Sequence, residues 1–143
     1  MDWPDPVASY DNTTIANLTN TTFAVGSPVV ELTFEAGTTG RALITLAAGA
    51  RDNSGGNARV ICTFELYLGT SSAGTGIILS SGSTLEYECT SAGQALGFQY
   101  VARTALVTGL TPGSTYYARV MHKASASGGG DIAMRELTVR PAS

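Results

Sequence analysis

Strict alternation runs through Val60-Ile61-Cys62-Thr63-Phe64-Glu65-Leu66, and it constrains this chain more than any other feature. A period of two puts Val60, Cys62, Phe64 and Leu66 on one face of a strand and Thr63 and Glu65 on the other. Such a strand must bury its apolar face against a second layer. Comparable segments recur at 29–35, 41–50, 58–68, 75–79, 84–90, 98–107, 115–124 and 131–140. Turn clusters such as Gly37-Thr38-Thr39-Gly40, Asp52-Asn53-Ser54-Gly55-Gly56 and Leu110-Thr111-Pro112-Gly113 separate them. No stretch of convincing helical period interrupts the series. Short strands with Gly-rich turns predict an all-β, antiparallel eight-stranded β-sandwich, and eight in two sheets is the count of a jelly roll. Residues 28–143 are assigned to this domain.

Composition agrees. With 143 residues the chain is the size of one domain with one core, and 17 glycines beside only 13% charged residues suit a turn-rich β protein.

Residues 1–27 read differently. Pro4 and Pro6 stiffen the start, and 12–22 is an Asn/Thr-rich run with few helix formers. Its large apolar residues, Trp3, Tyr10, Ile15, Leu18 and Phe23, are too widely spaced for a core of their own. The expectation is an extended N-terminal arm, residues 1–27, ordered by lying on a neighbouring subunit or a larger scaffold through those five side chains. An arm of this kind also predicts that a chain lacking residues 1–25 still folds. The start of the chain lacks the basic segment and apolar core of a secretory signal, so synthesis in a cytosol is expected. On that ground the sequons at Asn12, Asn17 and Asn20 are expected to stay unglycosylated.

Charge is graded along the chain. Residues 1–40 carry five carboxylates and no base, whereas 103–143 carry Arg103, Arg119, Lys123, Arg135 and Arg140 against Asp131 and Glu136. Such a gradient helps one subunit's start meet another's end. The bases are neither clustered nor interleaved with aromatics, so no nucleic-acid partner is expected. No apolar run approaches membrane-spanning length, and no membrane partner is expected.

The search for chemistry yields no catalytic, cofactor-binding or metal-binding residue. His122 is the sole histidine and lies in a strand interior, where a structural or interface role is expected. Glu86 and Glu88 share one face of a strand, as a solvated edge does. Gly128-Gly129-Gly130 lacks the lysine ending of a phosphate loop and reads as a hairpin turn. Cys62 and Cys89 both point inward by alternation. Free core thiols are the expectation, with a disulfide between them as the alternative. Tyr67, Tyr87, Tyr100, Tyr116 and Tyr117 are expected in core or interface, the alternative being an aromatic platform for a host-surface glycan.

Two resemblances bear on function. Leu110-Thr111-Pro112-Gly113-Ser114-Thr115-Tyr116 resembles the corner of a fibronectin type III module, although the buried Trp of such a core is missing. More of the chain is similar to small virion proteins of actinobacterial tailed phages, of the capsid decoration or minor tail type. The stretches that carry this are Asp2-Trp3-Pro4, the Asn-Thr-Thr arm, Pro28-Val29-Val30, Gly40-Arg41-Ala42-Leu43-Ile44-Thr45, Arg51-Asp52-Asn53-Ser54-Gly55-Gly56 and Arg135-Glu136-Leu137-Thr138-Val139-Arg140-Pro141. That resemblance implies a non-enzymatic structural protein that assembles as a homotrimer, with its termini against the particle or neighbouring subunits. A short arm without a long shaft favours a decoration protein on the outer capsid surface, with the major capsid protein as partner. The alternatives are a tail or fibre tip that binds a host receptor or carbohydrate, and a fibronectin-like adhesion module.

Overall fold

The computed structural model describes residues 4–52, 58–80, 87–91 and 97–143. Among them are ten strands: β1 (Val7–Asp11), β2 (Ile15–Leu18), β3 (Glu31–Glu35), β4 (Ala42–Asp52), β5 (Val60–Leu68), β6 (Thr75–Ile78), β7 (Cys89–Thr90), β8 (Gln99–Val107), β9 (Thr115–Ala124) and β10 (Gly130–Pro141). They form two antiparallel sheets. The first has the order β1-β10-β4-β8, with β2 continuing beside β1 along the same edge of β10. The second has the order β3-β9-β5-β6, with β7 also on β5. The fold is the expected antiparallel β-sandwich of jelly-roll type.

The count is ten rather than eight because the N-terminal segment supplies two strands. Residues 7–18 do not wait for a neighbour: β1 pairs with β10 from Val7 opposite Val139 to Asp11 opposite Arg135, and β2 pairs with its other end. The sandwich therefore starts at Val7, not at residue 28. Without these strands β10 would present a row of unpaired N–H and C=O groups, which a sheet edge tolerates poorly. Of the segment expected at 84–90, residues 84–86 lie outside the described residues and Cys89–Thr90 is strand.

Alternation places the core as expected. Val60, Cys62, Phe64 and Leu66 of β5 face Ile44 and Leu46 of β4 and Leu137 and Val139 of β10 across the gap between sheets. Burying each large apolar side chain contributes about 1.5–3 kcal/mol before ordering entropy is subtracted. Val7, Ile15 and Leu18 extend this core from the N-terminal strands.

The corner between β8 and β9 is closed by its tyrosine. Thr111 N–H donates to Tyr116 Oη at 2.8 Å, Leu110 is buried, and Tyr116 stacks on Phe34 with ring centroids 5.7 Å apart. This is the backbone-to-tyrosine bond of a tyrosine corner, formed here within a jelly roll. Gly40 is required beside it: its φ is +66°, and a Cβ there would stand 2.4 Å from the Leu110 carbonyl oxygen.

Candidate functional site

One extra residue in β10 decides what lies at the centre of the sandwich. Ile132 pairs with Ala50 and Ala133 with Gly49, yet Glu136 pairs with Ala47, so the register shifts by one between Ala133 and Glu136. Met134, at φ +51°, lies in this bulge. A bulge reverses which side of the sheet the following residues face. Ile132 is inward before it; Arg135, Leu137 and Val139 are inward after it. Arg135 is thereby driven into the interior at 0% exposure.

The buried guanidinium is held by the N-terminal segment. Arg135 donates to the carbonyls of Val25 (Nη1, 3.1 Å) and Pro28 (Nη2, 2.6 Å) and stands 3.6 Å from Asp11 of β1. Burial lowers its pKa from the ordinary guanidinium value, with Asp11 acting the other way. The acidic start and basic end of the sequence thus meet within one chain. Asp131 anchors β2 in the same manner: it accepts the Asn17 N–H at 2.9 Å and pairs with Arg51 at 2.7 Å.

His122 of β9 lies beside Arg135, 2% exposed, opposite Cys62 on β5. Gly26 packs against both side chains; a Cβ there would lie 2.8 Å from His122 Cε1 and 3.0 Å from Arg135 Nη1. Burial, then the Arg135 charge, pushes the imidazole down to about 4, so it is neutral at neutral pH. His122 Nδ1 and Arg135 Nε are buried and have no hydrogen-bond partner among the described residues. Ala24 exchanges backbone hydrogen bonds with His122, and the Asn20 side chain donates to the His122 carbonyl. These groups lock residues 20–28 onto the sandwich. Among the described residues no group of three or more His, Cys, Asp or Glu is placed to hold a metal ion.

The outward face of the first sheet is poor in charge. One row across it reads Tyr10, Glu136, Ala47, Ala102, and the next reads Ala8, Thr138, Thr45, Thr104. Beyond these lie Leu43 and exposed Leu106 at one end, and Gly49 and Tyr100 at the other. Tyr10 and Tyr100 are 56% and 57% exposed. Tyr100 Oη reaches Glu136 at 3.3 Å over the low ground left by alanine and glycine. Desolvation, then the Glu136 charge, raises the Tyr100 pKa. Glu136 and Arg140, of opposite sign, are the charged side chains along its middle, and Arg51, paired with the buried Asp131 and lying over Phe98, stands at the Tyr100 end.

The outward face of the second sheet is polar. Tyr67 Oη donates to Glu65, Arg119 Nε donates to Glu65 at 2.8 Å, and Tyr117 Oη donates to Glu31. Burial and Glu31 push Tyr117 up to about 12. The five tyrosines considered from sequence are not brought together: Tyr116 is core, Tyr67 and Tyr117 share this second face, Tyr87 packs edge-on to Phe64, and Tyr100 is on the opposite face. Cys62 and Cys89 are free thiols.

The arm residues divide similarly. Leu18 is buried and Ile15 half-buried in the chain's own core, which corrects the expectation that they dock elsewhere. Phe23 lies under the Lys123 ammonium at 4.5 Å. Tyr10 points outward on the first sheet, and Trp3 lies outside the described residues. The sequence reading missed Arg135; the one signal available was the conflict of parity between Ile132 and the Leu137–Val139 pair.

No family model and no curated protein sequence matches the chain. Among solved structures it is similar to Eiger TNF from S. frugiperda (TM-score 0.55, 8% identity, 99% of this chain and 94% of that one). It is also similar to the globular domain of zebrafish complement 1qA protein (TM-score 0.51, 11% identity, 96% of this chain and 97% of that one). A third likeness is to a structure of infectious bursal disease virus, Gt strain (TM-score 0.53, 11% identity, 95% of this chain). There the chain spans only 32% of the matched chain. At these identities the likeness establishes the jelly-roll fold.

Proposed function

We propose that the chain is a non-enzymatic structural subunit of a phage virion, a homotrimeric decoration protein that stabilises the outer capsid surface. The observation that carries this reading is the charge-poor outer face of the β1-β10-β4-β8 sheet. Four strands spaced about 4.8 Å and some nine residues of about 3.3 Å give a projected area of roughly 600 Å². Each partner in a standard interface buries about 800 Å². A three-fold ring needs a head-to-tail contact, and in this reading the protruding Tyr10 and Tyr100 of one copy enter the alanine and glycine hollows of the next, with Glu136 of one copy opposite Arg140 of its neighbour. The virus-shell likeness supports the reading at the level of fold.

The strap is shorter than 27 residues, because 7–18 belong to the first sheet and 20–28 are bonded along β9 of the second. Both ends of the described chain leave one end of the sandwich, where Val7 pairs with Val139 and Ala142 N–H bonds to Arg41. That end faces the major capsid protein, with residues 1–6 as the tether. Removing residues 1–6 abolishes co-sedimentation with particles while the trimer persists; retained co-sedimentation overturns the tether. Densitometry of purified virions gives hundreds of copies for a shell protein and a few for a tail tip.

A second reading is a receptor-binding tip. The part of the second sheet's network that solvent reaches, Tyr67, Arg119 and Glu31, favours it, since a ring flanked by a carboxylate and a guanidinium suits a host-surface glycan. Titration with oligosaccharides decides: heat of binding that Tyr67→Ala removes supports the tip, and none supports the shell.

A further inference from the structure

We propose that Cys62 and Cys89 are a peroxide-responsive thiol pair that closes a reversible cross-strand disulfide between β5 and β7. The two are directly opposed in the antiparallel register. Ser91 N–H bonds to the Val60 carbonyl at 3.0 Å, which makes Val60–Ser91 a hydrogen-bonded pair. By alternation Cys62–Cys89 is the next one, with Cα atoms about 5.5 Å apart. That separation lies inside the disulfide range. Both side chains are on the core side of the sheet: Cys62 is fully buried, and Cys89 packs against the core while remaining half-buried at the sheet's rim.

The environment divides the roles. The Cys62 thiol donates a hydrogen bond to the Cys89 sulfur, which together with burial raises Cys62 well above the ordinary thiol value. The same bond, aided by the Arg103 charge, lowers Cys89. Arg103 is fixed there by donating to the Glu88 carbonyl at 3.2 Å. Cys89 is thus the more acidic and more accessible sulfur, which is what an attacking thiolate requires. The Cys89 thiolate attacks hydrogen peroxide, giving the sulfenic acid and hydroxide. The Cys62 sulfur then attacks the Cys89 sulfur; the S–S bond forms as the S–O bond breaks, and the Cys62 proton leaves with that oxygen as water. A thiol reductant reverses the bond.

The bond would fasten β7, the shortest strand of the second sheet among the described residues. Among the described residues β7 is paired to β5 at Cys89 and Thr90, with the Ser91–Val60 hydrogen bond beside them, and the loop that the disulfide closes, 62–89, includes β6. Closing a loop of this length restricts the unfolded chain and raises Tm by roughly 5–10 °C. This inference is independent of the assembly proposed above.

Intact-mass spectrometry of reduced protein treated with stoichiometric peroxide is the test. The expected result is a loss of about 2 Da on a chain that stays monomeric on a denaturing, non-reducing gel. The chain has only two cysteines, so that loss identifies the pair. Dithiothreitol restores the mass and lowers Tm again. Cys62→Ala should divert oxidation to gains of 16 or 32 Da on Cys89; Cys89→Ser, at the rim, should leave Cys62 inert. Over-oxidation of Cys89 in the wild-type protein with Cys62 still reduced, a disulfide between chains, or no reaction would each overturn the proposal.

Discussion

Protonation of His122 should be a main cause of acid instability in this fold. The imidazole is buried between sheets with Arg135 from β10 as its charged neighbour, Cys62 opposite on β5, and Asp11 behind the guanidinium. Its pKa is about 4 in the folded protein against an ordinary 6.5. Above about pH 6.5 it is neutral in both states, and its contribution to stability is complete. As pH falls, the unfolded chain takes up a proton that the fold refuses. Stability is therefore lost between about pH 6.5 and pH 4, and the full difference is about 3 kcal/mol. At pH 4.5 about 2.5 kcal/mol of it should be gone, a large share of a typical domain's 5–15 kcal/mol. Urea titrations of the wild type and His122→Gln at pH 7.5 and 4.5 measure this. Carboxylates common to both proteins cancel in the comparison. The wild type should lose about 2.5 kcal/mol more than the variant between the two pH values. Parallel losses would refute the assignment of a buried, neutral imidazole.

Three further outcomes follow from the same geometry. Arg135→Met leaves the Val25 and Pro28 carbonyls without their donor and should cost about 3 kcal/mol in urea unfolding, and Arg135→Lys should not restore it because one ammonium cannot serve both carbonyls and Asp11. Leu18→Ala, at 3% exposure, should cost about 2–5 kcal/mol, as a core residue does and a docking residue of a free arm does not. Deleting residues 1–18 uncovers β10 and should give aggregated or unfolded protein by circular dichroism and light scattering, where a true arm would leave a soluble sandwich.

The sandwich was legible in the sequence because burial on one face writes a period of two into each strand, as in Val60 to Leu66. The tyrosine corner was legible for a related reason: Leu110, Pro112, Gly113 and Tyr116 each meet a local steric or hydrogen-bonding need. The N-terminal strands were not. Val7-Ala8-Ser9-Tyr10-Asp11 and Ile15-Ala16-Asn17-Leu18 are short and half-exposed, and they are strands because β10 offers an edge more than a hundred residues away. Arg135 was hidden because a bulge leaves no mark in composition, and an arginine in an alternating run reads as surface. The first sheet's outer face was hidden too, since its rows draw one residue from each of four strands distant in sequence. Only the register assembles Tyr10, Glu136, Ala47 and Ala102 into a surface.

The central claim is that this chain works by joining copies of itself through that face. Sedimentation equilibrium at tens of micromolar should give three copies of the 14.7 kDa chain, about 44 kDa, for the wild type, and 14.7 kDa for Ala102→Arg with unchanged Tm. A wild type that stays at 14.7 kDa, or an Ala102→Arg variant that still assembles, would contradict it.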